Sequence, residues 1–79
     1  MTRIEFLRRE QGFKQKELAE MVGDWACNLA QIERGHRRPW PRLRAAIAEA
    51  LNVDEADLFD ENGVPLGVDW QLPKQPAVV

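Results

Sequence analysis

The sequence predicts an all-α fold: a compact five-helix bundle with an extended C-terminal arm or short strand. Three observations predict it. Apolar residues recur every three or four positions through the first three quarters of the chain. Stop and cap residues, among them Gly12, Gly23, Gly35 and Asp54, cut that pattern into short segments. After Phe59 the helical period gives way to alternation.

The first helix is expected over about residues 3–11. Thr2 and Glu5 fit a capping box, Ile4, Leu7 and Arg8 continue one stripe, and Gly12 ends it. The second spans 15–22, with Leu18, Ala19 and Val22 inward and Gly23 as the left-handed stop. A third runs from 25 or 26 to 34, with Leu29 and Ile32 on its apolar face and Gly35 closing it. Pro41 suits a first helical turn and opens the fourth, which carries Leu43, Ile47 and Leu51 at a spacing of four. Asp54 can cap a short fifth helix through Phe59, followed by a turn at Asp60-Glu61-Asn62-Gly63. Val64, Leu66, Val68, Trp70 and Leu72 then alternate, with Pro65 and Gly67 on the opposite face, which favours an edge or arm over a central strand.

Seventy-nine residues at 44% hydrophobic and 30% charged make one globular unit. The division is a helical domain over 1–60 and an arm or tail over 61–79. A lone cysteine, Cys27, allows no internal disulfide and suggests no metal site. The longest apolar run, Ala45 to Ala48, is far too short to cross a membrane, and the N-terminus has no secretory pattern. The expected location is the cytoplasm. Net charge is −2 but unevenly placed: residues 1–45 hold ten Lys/Arg against six Asp/Glu, and 46–79 hold one Lys against seven Asp/Glu. One end therefore suits an anionic partner. The densest cationic cluster, Arg34, His36, Arg37 and Arg38, surrounds Gly35 and precedes Trp40, which is expected to pack over that loop.

The informative unit is residues 15–34. Small Ala19, then Gly23 four residues on, then Leu29 and Ile32 six and nine residues past the glycine, is helix-turn-helix spacing. The small side chain lets the second helix approach, and the glycine takes a positive φ at no Cβ cost. On a helical wheel with Leu29 and Ile32 inward, Cys27, Ala30, Gln31 and Arg34 point outward.

With "FKQKELAEMVG", "QIERGHRRP" and "LRAAIAEALNVDEADLF", the chain resembles the Xre/Cro-like helix-turn-helix proteins, the phage-repressor type, over about residues 3–60. That resemblance implies a homodimer that binds double-stranded DNA with its third helix in the major groove. It assigns base reading to Ala26, Cys27 and Gln31, with Trp25 and Asn28 nearby. Gln31 can pair with adenine, and small apolar side chains can meet thymine methyls. Gln15 would donate to a phosphate, and Arg34, His36, Arg37 and Arg38 would hold the backbone. The chain departs from the pattern where Ser or Thr usually cap: Lys14 precedes the second helix and Trp25 the third. Asp24 then offers an alternative cap, shifting that helix start by one residue. Glu33 is expected to pair with a nearby arginine or cap a loop amide, away from DNA.

The arm has two readings. It folds back on its own core, or it exchanges with a second copy, making Leu58, Phe59, Val64, Leu66, Val68 and Trp70 a dimerisation surface. The function expected from all this is a sequence-specific transcriptional regulator, a repressor acting at a two-fold operator. The competing reading is an antitoxin or interaction module whose tail binds a protein, a toxin or another regulator. An enzyme is not expected: the single histidine sits in a basic loop, and neither a catalytic set nor a cofactor motif is present.

Overall fold

The computed structural model describes residues 1–68. It contains α1 (Arg3–Glu10), α2 (Gln15–Val22), α3 (Ala26–Glu33), α4 (Pro41–Leu51) and α5 (Glu55–Leu58). α2 packs against α3 and α4, α4 against α5, and α1 against α5. Ile4, Leu18, Leu29, Ile32, Ile47, Leu51 and Leu58 are wholly buried between them, with Ala19, Leu43, Ala48 and Phe59 nearly so. All five helices thus feed one core, which a domain this small needs.

Local chemistry explains the helix ends. Thr2 caps α1, its Oγ1 accepting from Glu5 N at 3.3 Å. The returning arm of the expected capping box is diverted, because the Glu5 carboxylate pairs with Arg9 one turn on at 2.6 Å. Lys14 occupies the N-cap of α2 and has no acceptor to offer. Glu17 compensates in part, accepting from Lys14 N at 2.7 Å. α2 stops at Gly23, φ +75, where Asp24 N reaches back to Ala19 O at 2.9 Å and Gly23 N to Glu20 O at 3.3 Å. Asn52 does the same for α4 with φ 61, and Val53 N bonds Ala48 O at 3.0 Å. Pro41 takes the first turn of α4, where its missing N–H costs nothing.

The segment after α5 folds back onto α1. Leu66 N donates to Leu58 O at 2.8 Å, Arg3 N to Leu66 O at 2.8 Å, and Val68 N to Met1 O at 3.1 Å. Among the described residues there is no β-strand, only isolated antiparallel bridges at Thr2–Gly67 and Phe59–Pro65. The alternation is not carried into burial: Val64 is exposed and Pro65 buried, while Leu66, Gly67 and Val68 are all half-buried. The turn Asp60–Gly63 fixes where this segment starts, since Asp60 Oδ1 accepts from both Asn62 N and Val64 N, at 2.8 and 2.9 Å. As for the expected dimer surface, Leu58 and Phe59 lie in the chain's own core and have little area left for a partner. Trp70 and Leu72 lie outside the described residues.

Candidate nucleic-acid interface

The glycine turn after α2 delivers the chain to Trp25, extended at φ −90 and ψ 144, which is the N-cap of α3. The alternative cap, Asp24, is therefore not used: it stands one residue too early and its side chain turns to another task. Asp24 Oδ2 accepts from Asn28 Nδ2 at 2.8 Å, and Asn28 Oδ1 accepts from Arg37 Nη1 at 2.7 Å. This relay ties the start of α3 to the loop beyond its end.

Leu29 and Ile32 hold α3 to the core, so the opposite face is presented outward. Trp25 is 78% exposed. Ala26 and Cys27 are exposed, while Ala30, Gln31 and Asn28 are half-buried. The five candidate base readers therefore share the start and outer face of one helix. They do not stand alike, because both ends of the Asn28 amide are already engaged by protein. Gln31 retains the accessible amide.

Behind that face lies a group linked through tertiary contacts. Arg8 of α1 donates from Nε to Glu33 Oε2 at 2.7 Å and from Nη2 to Oε1 at 3.2 Å. Gln15 Nε2 donates to the same Oε1 at 3.0 Å, and Thr2 Oγ1 donates to Glu33 O at 2.7 Å. Glu33 is 1% exposed, so its charge is answered internally and its role is to pin α3 to α1 and α2. The pairing with an arginine expected from sequence is realised with Arg8. Gln15, expected to donate to a phosphate, has one amide N–H committed to Glu33 and a half-buried side chain, which leaves its second N–H for that contact.

The loop after α3 is set by Gly35, φ +81, with Gly35 N bonded to Ile32 O and His36 N to Gln31 O, at 3.0 and 2.9 Å. Arg34, His36, Arg37 and Arg38 are all exposed there. Arg38 Nη1 reaches Asn62 O at 3.3 Å, and Arg44 Nη1 fixes Pro39 O at 3.0 Å. Pro39 is the buried anchor of this loop. Trp40, expected to pack over it, is 53% exposed, because it serves as the N-cap position of α4 and only part of its ring can lie against the protein. No helix among the described residues is long and apolar enough to cross a membrane.

A helix clamped at fixed angle by a glycine turn, with a small-residue outer face and an arginine loop at its end, defines a DNA-binding helix-turn-helix module. The helix-turn-helix family matches residues 4–58, and the chain belongs to it. Its relatives are transcriptional regulators. An uncharacterized HTH-type transcriptional regulator from Archaeoglobus fulgidus is 38% identical over 58 residues, covering 73% of this chain and 83% of that protein. The competence pilus inhibition repressor of Acinetobacter baylyi is 29% identical over 73 residues, covering 86% of this chain but only 66% of the repressor. Among solved structures, the clp gene regulator ClgR from Corynebacterium glutamicum superposes with a TM-score of 0.65 at 30% identity, over 68% of this chain and 57% of ClgR. A SinR protein/SinI protein complex superposes with a TM-score of 0.68 at 29% identity, over 98% of this chain and 76% of the matched chain.

Proposed function

We propose that this protein is a sequence-specific transcriptional repressor that binds a two-fold operator as a homodimer, with α3 in the major groove and no enzymatic step. The observation that carries the proposal is the accessible Gln31 on the outer face of α3, one turn before the exposed loop of Arg34, His36, Arg37 and Arg38. Gln31 supplies the donor and acceptor that adenine requires, while Trp25, Ala26 and Cys27 offer apolar contact to thymine methyls. The arginines fix register on the phosphates without reading sequence. A reader set with one good polar member leaves part of the specificity to DNA shape. Repression is steric, by occupancy of the site.

Selection from random duplex DNA with the purified protein tests this. The expected product is a palindromic motif whose half-sites lie one helical turn apart, about 34 Å. Failure to enrich any sequence would sink the proposal. A protein partner is the second reading, and the match to a SinR protein/SinI protein complex favours it. It would use the acidic C-terminal part of the chain, residues 46–79, and is compatible with operator binding.

A further inference from the structure

We propose that Asp24 is a positioning residue for DNA, acting through Asn28 to aim the Arg37 guanidinium at a phosphate. The inference rests on the DNA-binding reading above. An acidic side chain at the DNA-facing start of α3 is otherwise a liability, since it repels the backbone it must approach. Its hydrogen bonds give it a use.

The order of groups fixes the polarity of the relay. A carboxylate only accepts, so Asp24 Oδ2 can engage Asn28 solely through Nδ2, at 2.8 Å. That turns Oδ1 toward the loop, where it accepts from Arg37 Nη1 at 2.7 Å. A guanidinium only donates, so the reversed amide would set donor against donor. Asp24 thereby selects the one amide orientation that Arg37 can use. It does so without taking the cation for itself: Arg8–Glu33, Arg9–Glu5 and Arg44–Glu55 pair directly, whereas Asp24 and Arg37 meet only through Asn28. Arg37 keeps its full charge and its remaining donors for a phosphate, held in a planar fork that suits one. The carboxylate and the guanidinium sit thirteen residues apart in sequence, so the relay also couples the entry of α3 to its exit. Asn28 becomes a structural link and leaves base reading to Gln31.

The test turns on sign. Binding of the full chain to a random-sequence duplex is measured against salt for wild type, Asp24→Ala, Asp24→Asn, Asn28→Ala, Arg37→Ala and the Asp24→Ala/Arg37→Ala double variant. Thermal melting reports that each is folded. Arg37→Ala should lower the salt slope by about 1. Asp24→Ala should weaken binding about fivefold, the size of one lost hydrogen-bond contact, although it removes a repelling charge. Asn28→Ala should weaken it similarly, and serves if Asp24→Ala does not fold. Asp24→Asn keeps an acceptor for Asn28 and sheds the charge, so it should bind at least as tightly as wild type. In the Arg37→Ala background, Asp24→Ala should tighten binding, because only repulsion is left to remove. Tighter binding by Asp24→Ala with Arg37 intact, or equal weakening in both backgrounds, overturns the relay. Arg34→Ala and Arg38→Ala are measured beside them, and if these and Arg37→Ala each leave affinity and slope unchanged, the DNA-binding reading itself fails, and it fails separately.

Discussion

Arg8 of α1 and Glu33 of α3 form a two-pronged ion pair inside the protein, with Nε–Oε2 at 2.7 Å and side-chain exposures of 9% and 1%. A buried pair adds little over an apolar pair of the same shape, but breaking one side strands a charge. Here Glu33→Ala would also strand Gln15 Nε2. We expect Glu33→Ala to cost about 3–5 kcal/mol, a large share of the stability of any small domain. Arg8→Met/Glu33→Leu should recover much of that loss. Urea denaturation of the three proteins checks it, and equal loss in the single and double variants would show that the pair's charge is not what matters.

This pair marks where sequence reading reached and where it stopped. Gly23, Gly35 and Pro41 act within a turn of themselves, so the stop of α2, the stop of α3 and the start of α4 follow from nearest-neighbour chemistry. Glu33 was legible as an acid needing an arginine, and Arg8 as a stripe residue. Their meeting spans 25 residues and depends on how α1 crosses α3, which no local pattern encodes. The same holds for Gln15, drawn off by Glu33, and for Asp24, whose partner Asn28 outcompeted the capping role. The period-two pattern at 64–68 marked an extended segment but not its burial, because the turn at Asp60 and the return to α1 leave Val64 outside and Pro65 inside.

Gly23 is required for its conformation and not for space. Its φ is +75, and an added Cβ would meet nothing within 4 Å. Gly23→Ala should therefore cost about 1–2 kcal/mol from backbone strain alone. Gly23→Asn should cost less, since Asn52 already holds the equivalent left-handed stop of α4 at φ 61. Thermal melts of the two variants decide this, and a larger loss for Asn would mean that an unseen contact fills the space.

Leu58 separates folding from assembly. It is wholly buried, and its carbonyl also receives Leu66 N at 2.8 Å. Leu58→Ala should lose about 2–5 kcal/mol through lost burial and a residual cavity. Because that loss arises within one chain, it should be the same at low and high protein concentration. Val64, 37% exposed, offers the contrasting site, where alanine should change stability by less than about 0.5 kcal/mol. A loss at Leu58 that shrinks as protein concentration rises would place this residue in a subunit interface after all.

Gln31 and the arginine loop should respond to different measurements. Replacing Arg34, Arg37 and Arg38 together by alanine removes up to three phosphate neutralisations, each releasing about 0.9 counterion, so the slope of log affinity against log salt should fall by about 2–3. The loss should be nearly the same on every duplex, because phosphates carry no sequence. Gln31→Ala removes no charge and should leave the slope unchanged. Its cost, about 1–3 kcal/mol, should appear only on the preferred sequence, as one operator position that no longer discriminates. Lysine at Arg38 offers an internal control: it keeps the charge, and hence the slope, while giving up the guanidinium contact to Asn62 O. A salt slope that moves with Gln31 but not with the arginines would reverse the division of labour between helix and loop.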